Sequence, residues 1–258
     1  MKQLSIFSFL FLLYSCSPKV SFDTDTLSNT SYTDLSVEFL EALRLNKKTD
    51  SIKLEIKNLD IDKLASELIN DQLRLAFWVN IYNGFIQDVL KDKPELYENR
   101  GDFFRKPRIE IGGLKLSFGD IEHGIIRRSQ NEFGLGYIRK WFPPKWERKL
   151  RVRHRDFRIH FALNCGAKDC PPVAIYKPEL INSQLDKSTE LYLKGNTTVE
   201  GSNIEVTSLF SWFRGDFGGK RGVKKILNEY TEIRGISNKK LKYRSYDWSL
   251  LLDNYIDL

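Results

Sequence analysis

The chain has 258 residues, of which 41% are hydrophobic and 13% aromatic, and its formal net charge is +7 at pH 7. This composition excludes an intrinsically disordered protein, because a chain of this length with so many apolar side chains buries a substantial core. It favours one globular domain with a moderately basic surface.

The N-terminus has the pattern of a signal peptide. Lys2 precedes an apolar run over residues 4–14, which is too short to span a bilayer but has the length of a signal-peptide core. Leu13-Tyr14-Ser15-Cys16 resembles the lipobox of bacterial lipoproteins, so we predict that residues 1–15 are removed and that Cys16 carries acyl chains such as palmitate. The alternative is an ordinary cleaved signal in which Cys16 has no role. We expect a membrane-anchored lipoprotein of the bacterial cell envelope, on the periplasmic face or the cell surface.

Residues 16–33, rich in Ser, Thr and Asp, predict a lipidated cysteine followed by a flexible tether, and residues 34–258 predict the globular domain. A helix is expected over residues 34–45 and a short strand over residues 51–56. Residues 70–90 predict a long helix that is apolar on nearly every side and therefore buries Asn80 and Asn83.

The second half of the chain alternates hairpin and helix patterns. Paired glycines, Gly112-Gly113, predict a hairpin over residues 108–116, and residues 117–120 cap a helix over residues 119–128. Residues 157–163 alternate as in a strand, with His160 and Asn164 on its polar face. Further expected elements are a helix over residues 179–195, a hairpin over residues 199–206 and a helix over residues 221–230. Since strands and helices show no βαβ rhythm, we predict an α+β fold, a single globular domain with a central buried helix and small antiparallel hairpins.

The segment 137–158 is strongly basic. It holds nine Lys and Arg side chains against two acidic ones, with Trp141, Phe142 and Trp146 among them. Such interleaving favours contact with an anionic envelope polymer or with lipid head groups, and the alternative is a solvated insertion without a partner. Nucleic acid is a poor partner for an exported chain.

Six short motifs occur in an order that resembles the domain-of-unknown-function 547 family. They are Ala76–Asn83, Glu122-His123, Ile159–Gly166, Cys170-Pro171-Pro172, Asp216-Phe217 and Tyr246-Asp247-Trp248. The resemblance covers about residues 65–250 and, by analogy only, suggests a papain-like thiol enzyme. Phe157 stands where proline is expected and Asp169 where serine is common, and residues 134–155 look like an insertion.

Chemistry at these motifs favours a cysteine nucleophile activated by histidine, because the thiolate is the reactive form of cysteine. We expect Cys165 to be the nucleophile, with Cys170 as the alternative. His123 is the expected general base and His160 its rival. The side chains expected to support the site are Glu122, Asn80, Asn83 and Asn164. The function predicted from these residues is a thiol hydrolase or transferase that acts on an amide, peptide or thioester bond.

A non-catalytic interpretation stays open beside it. In an exported protein Cys165 and Cys170 can form a disulfide, which leaves no free nucleophile. His123 and His160 are then structural, and the domain binds a partner or ligand. Zinc on these four side chains is a weaker alternative, since the spacing differs from that of structural zinc sites. We expect no metal and no cofactor, and the sequence does not indicate an oligomeric state.

Overall fold

The computed structural model describes residues 18–20 and 30–258. The predicted signal peptide, Cys16 and most of the predicted tether lie outside the described residues. The predicted α+β class is confirmed, since helices packed around one central helix are joined by two small sheets.

Three helices precede the central one. Helix α1, Ser31–Arg44, begins three residues before the predicted position because Thr30 and Thr33 form a capping box. Helix α2, Asp50–Lys57, occupies the place of the strand predicted over residues 51–56, so that prediction was wrong. The physical reason is the spacing of the buried side chains, since Ile52 and Ile56 lie one helical turn apart while Leu54 is 59% exposed. Helix α3 is Ile61–Glu67.

The central helix α4, Asp71–Asp92, confirms the prediction for residues 70–90. Asn70 caps its N-terminus by accepting a hydrogen bond from the backbone N–H of Leu73. Most of the helix is buried, including Trp78, Tyr82 and, as predicted, Asn80 and Asn83. Helix α1 packs closely against it at Gly84, where a Cβ would lie 2.6 Å from the Phe39 ring.

The hairpin predicted at Gly112-Gly113 is confirmed. Strands β1, Ile109–Ile111, and β2, Leu114–Leu116, are antiparallel, and both glycines have positive φ. The expected cap follows the hairpin. Ser117 donates hydrogen bonds from its backbone N–H and its hydroxyl to the Asp120 carboxylate, and the Asp120 N–H donates to the Ser117 hydroxyl. The helix that begins there is a π-helix, Asp120–Ile126. Before β1 the chain forms a 3₁₀ turn, Pro94–Asn99, and helix α5, Arg100–Arg105. Helix α6, Lys145–Leu150, follows the π-helix in the chain.

The strand predicted over residues 157–163 was wrong, because the chain there forms a 3₁₀-helix, Phe157–Phe161. The side chains assigned to a polar face are buried like the apolar ones. Arg158 is fully buried in an ion pair with Asp156. His160 and Asn164 consequently do not share a strand face.

The remaining helices and hairpin lie close to their predicted positions. After a 3₁₀ turn (Pro178–Leu180), the chain forms α7 (Ile181–Gly195), β3 (Thr198–Glu200) and β4 (Asn203–Val206). It then forms α8 (Leu209–Trp212), α9 (Gly219–Tyr230), another 3₁₀ turn (Ile236–Asn238) and β5 (Lys240–Tyr243). The second sheet has the order β3-β4-β5, with β3 antiparallel and β5 parallel to β4. The parallel partner β5 was not predicted.

Two apolar clusters form the core. The larger surrounds α4 and includes Trp78, Phe103 and Phe118. The smaller lies between α7, α8, α9 and the second sheet and includes Phe161 and Phe210. Among residues 18–20 and 30–258, no helix combines the length and the apolar character that crossing a membrane requires.

Candidate functional site

A cavity of about 390 Å³ lies where the two apolar clusters meet. One wall consists of three aromatic rings, with Trp212 stacked on Trp248 at 5.4 Å and Tyr246 at 4.8 Å from Trp248. The polar or sulfur-containing residues that line it are Tyr82, Arg105, Glu122, His123, Glu132, His160, Cys165, Cys170 and Tyr246. An apolar cavity with a few convergent polar groups is the usual form of a ligand site. The four residues predicted to carry the thiol chemistry are therefore brought together.

Cys165 and Cys170 form a disulfide, with their Cα atoms 6.1 Å apart. Cys170 is buried and Cys165 is half-buried, so Cys165 is the more accessible sulfur. Two donors point at the Cys170 Sγ, namely the backbone N–H of Cys165 at 3.0 Å and the hydroxyl of Tyr246 at 3.2 Å. Burial raises the pKa of Tyr246, so its hydroxyl keeps the proton that it donates. In this bridged form neither sulfur is a free nucleophile.

Buried asparagines fix the chain that carries the disulfide. Asn83 donates to the carbonyl of Ala162 at 2.9 Å and accepts from the backbone N–H of Asn164 at 2.8 Å. The Asn164 side chain in turn donates to the carbonyl of Pro171 at 2.8 Å and accepts from the backbone N–H of Gly166 at 2.9 Å. These bonds close the loop between the two cysteines, so the expected supporting role of Asn83 and Asn164 is positional.

Asn80 lies about one turn before Asn83 on α4. It exchanges two hydrogen bonds with the backbone of Tyr176, at 2.8 and 2.9 Å. Asn80 therefore supports a crossing loop and is not among the residues lining the cavity.

His160 is held by a carboxylate. Its Nε2 lies 2.8 Å from the Asp216 Oδ2, and its ring stacks on Phe213 at 4.1 Å. Burial lowers the pKa of His160, and the hydrogen bond to Asp216 offsets only part of that effect. Since neutral His160 donates its Nε2 proton to the carboxylate, its lone pair lies on Nδ1. A carboxylate that orients an imidazole in this way is the arrangement of an acid–base dyad.

Asp216 is the centre of a buried ionic network. Besides His160 it accepts from the Arg127 Nε at 2.7 Å and from an Arg155 Nη1 at 2.8 Å. Burial alone would raise the pKa of Asp216, but the charge of Arg127 and the bond from His160 outweigh it and hold that pKa well below the usual range. The carboxylate is therefore charged at neutral pH.

Arg127 also determines the tautomer of His123. Its Nη1 lies 2.7 Å from the His123 Nδ1, and a guanidinium has only donors, so Nδ1 must accept. The proton of neutral His123 is then on Nε2. Burial, followed by the charge of Arg127, lowers the pKa of His123 well below 6.5. His123 is thus a neutral hydrogen-bond donor through Nε2, and its Nδ1 lone pair is occupied by Arg127.

Glu122 lies beside these groups. Its Oε1 is 3.4 Å from the His123 Nδ1, and its Oε2 accepts from the Tyr82 hydroxyl at 3.3 Å. Burial raises the pKa of Glu122, although Arg127 and Tyr82 act against this shift. Carboxyl groups with raised pKa values and neutral imidazoles in one cavity are typical of functional sites.

Several residues of the site were not among those selected from the sequence as catalytic. Arg127 has a usable signal, since it follows His123 by four residues on a predicted helix and therefore shares its face. Asp216 and Tyr246 belong to motifs of the family resemblance, but nothing in their local sequence assigns them a role. Trp212 and Phe213, which were not assigned to the site either, are half-buried and line the cavity.

Two other sequence predictions concern this region. Within the described ranges 18–20 and 30–258, no three or more His, Cys, Asp or Glu side chains form a group that could hold a metal ion. The basic segment 137–158 divides into two parts, because Arg155 and Arg158 point inward to carboxylates whereas Trp141 and Phe142 are exposed.

The comparisons with known proteins bear on the region around α4. Residues 66–193 match a family model described as protein of unknown function, DUF547. The match includes both cysteines, His123 and His160, while Asp216 lies beyond it. No curated protein and no solved structure matches the chain significantly.

Proposed function

From the premise that residues 66–193 form a DUF547 region, we propose that this chain is a thiol hydrolase or transferase of the cell envelope, active once the Cys165–Cys170 disulfide is reduced. Its substrate class is an acyl compound with an amide, peptide or thioester bond. The observation that carries the proposal is the Asp216–His160 pair, at 2.8 Å, in the cavity that the two cysteines line.

Reduction releases Cys165. A thiolate of an external dithiol attacks the more accessible Cys165 Sγ, and Cys170 leaves as a thiolate. The two donors at its Sγ stabilise that charge. The second thiol of the reductant then attacks the reductant sulfur that is bonded to Cys165. The reductant becomes a cyclic disulfide, and Cys165 leaves as a free thiolate.

The acyl transfer then uses both histidines in different roles. His160 takes the Cys165 proton on Nδ1, and the thiolate attacks the substrate carbonyl. The Nε2–H of His123 donates a hydrogen bond to the oxyanion without losing its proton, and His160 returns the Cys165 proton to the leaving group. Water or another nucleophile, deprotonated by His160, attacks the acyl carbon; the bond to the Cys165 sulfur breaks, and Cys165 takes the proton back from His160. Asp216 keeps His160 in the required tautomer throughout.

The oxyanion donor in this proposal is not a backbone N–H beside the nucleophile, which is the usual arrangement. The N–H of Cys165 is bonded to the Cys170 Sγ and that of Gly166 to Asn164, so both are occupied in the bridged form. The oxyanion donor in this proposal is therefore the side chain of His123.

A second candidate is a non-catalytic envelope domain that binds a partner or ligand in the cavity. The disulfide itself favours it, because a permanent bridge leaves no nucleophile. In that case His160 and His123 only satisfy Asp216 and Arg127 within the core.

The two candidates are separated by following acyl-enzyme formation with p-nitrophenyl acetate by intact mass, with and without dithiothreitol. We expect a single acetyl adduct after reduction, which Cys165→Ala abolishes, and an adduct without reductant in Cys170→Ala. His160→Gln should slow acetylation about 10²- to 10⁴-fold. The control is His154→Gln, since the His154 side chain is exposed and contacts Asp71.

If reduced protein forms no adduct, or if His154→Gln slows the reaction as much as His160→Gln, the thiol enzyme is excluded. Loss of folding on reduction, seen by circular dichroism, would instead support the permanent bridge of the second candidate.

A further inference from the structure

Residues 131–142, which we call the docking segment, present large apolar side chains to solvent. Trp141 is 86%, Phe142 91% and Phe133 76% exposed, and Leu135 and Ile138 are exposed as well. Single exposed apolar residues are common, but five within twelve positions form a patch that marks an interaction site.

The docking segment is held in a defined conformation. Its two ends are joined by bonds from the backbone N–H of Asn131 to the carbonyl of Ile138, at 2.9 Å, and from that of Lys140 to the carbonyl of Ser129, at 2.8 Å. The backbone N–H of Gly215 donates to the carbonyl of Leu135 at 2.7 Å, which ties the segment to the chain that carries Asp216. The apolar side chains are therefore displayed by a fixed loop.

Positive charge surrounds the apolar patch. Arg139, within the segment, is exposed. Partial burial, and then the positive charges of Arg128, Arg155 and Arg151, lower its pKa. Lys145 and Arg148 are exposed on the adjoining helix α6. The one acidic residue of the docking segment, Glu132, lies 3.6 Å from Arg105.

We propose that the docking segment binds the surface of an anionic lipid bilayer, with Trp141 and Phe142 at the boundary between head groups and acyl chains. Arg139, Lys145 and Arg148, which are exposed, then contact the lipid phosphates. A lipid fits better than an anionic polymer, because a polymer would use the cations but leave the almost fully exposed Trp141 and Phe142 in water.

The position of the segment adds a consequence for the cavity. Phe133 and Leu135 belong to the docking segment and also line the cavity. Docking therefore brings the mouth of the cavity to the lipid surface, where it can receive a lipid-borne ligand. This inference does not depend on the proposed thiol chemistry.

The test uses the full chain on vesicles of phosphatidylglycerol mixed with phosphatidylcholine. The emission of Trp141 is isolated as the difference between the wild-type chain and Trp141→Phe, since the chain has five tryptophans. We expect this emission to shift to the blue, to be quenched by lipids with brominated acyl chains, and to lose several-fold in quenching by aqueous iodide. Trp146, which packs against the core, supplies the matched control through Trp146→Phe and should respond to neither quencher.

Charge is tested by Arg139→Glu against Lys48→Glu, which reverses an exposed cation outside the segment. Only Arg139→Glu should reduce the quenching by brominated lipid, and pure phosphatidylcholine should reduce it in the wild-type chain. If Trp141 stays accessible to iodide while the chain is bound to vesicles, the proposal is wrong. A Trp141 shift with heparin but not with vesicles would likewise overturn it in favour of a polymer.

Discussion

Replacing Asp216 with Asn tests whether the buried ionic network stabilises the fold. The substitution keeps the shape of the side chain but removes the charge that Arg127, Arg155 and His160 share. Arg127 is almost completely buried, and its remaining contacts are His123 and the ring of Phe213, 4.5 Å from the guanidinium carbon. Its charge then loses its directly bonded carboxylate.

The size of the effect follows from this burial. Removing one partner of a buried pair costs about 3–5 kcal/mol, because the other charge stays desolvated. The amide also turns one acceptor into a donor that faces donors. For a chain of this size such a loss lowers the melting temperature by roughly 6–20 °C. Since native domains have about 5–15 kcal/mol of stability, most of the population stays folded at 25 °C.

The assay is urea unfolding followed by circular dichroism, with Asp257→Asn as the matched control. Asp257 also pairs with an arginine, Arg44, but is largely exposed, so its substitution should leave the unfolding midpoint unchanged. A loss below about 1 kcal/mol for Asp216→Asn would refute the reasoning, because it would mean that Arg127 finds water or another partner without cost.

Two further predictions concern packing and pH. Gly222→Ala should destabilise the fold by about 2–4 kcal/mol in the same urea assay, because the added Cβ would lie 1.8 Å from the backbone oxygen of Phe217. Gly195→Ala is the control and should leave the stability unchanged, since no atom lies within 4 Å of the added Cβ. The free energy of unfolding should fall as the pH is lowered from 7 to 5, by up to about 1.4 kcal/mol per pH unit for each of His123 and His160. Their lowered pKa values keep both histidines neutral in the folded state, whereas the same histidines bind protons in the unfolded chain. Glu122 has a raised pKa and so acts with the opposite sign; Glu122→Gln should make the pH dependence steeper, and urea midpoints that do not change with pH would contradict this account.

Local patterns predicted those parts of the fold that depend on neighbouring residues. Helix α4 and the hairpin at Gly112-Gly113 were predicted because an apolar helix and a positive-φ turn need no distant partner to be recognised. The strand expected over residues 157–163 failed for the opposite reason. Its alternation matches a sheet edge, but Arg158 is buried by Asp156 and by residues of α7, which lies more than twenty positions later.

The candidate site was predicted by residue type but not by role. Cys165, Cys170, His123 and His160 do line one cavity, as their shared motifs suggested. Which histidine can act as a base depends on which ring nitrogen of each histidine is already hydrogen-bonded to a neighbour. For His160 that neighbour is Asp216, which lies 56 positions away in the sequence. Such long-range pairing leaves no periodic signal in a single sequence.

The ionic network also bears on the choice between the two candidate functions. Apolar side chains of similar volume would stabilise the core as much as the ion pair of Arg127 and Asp216 does. The reason is that the free energy lost when both charges leave water is about as large as the free energy gained from their attraction. The same network fixes the tautomers of both histidines at a cavity that also holds the disulfide. Since tautomer control matters for proton transfer and not for packing, the network supports the proposed chemistry at the cavity. A double substitution, Arg127→Met with Asp216→Leu, separates the two, because it removes both members of the buried pair and should cost less stability than Asp216→Asn while abolishing acetylation of reduced Cys165.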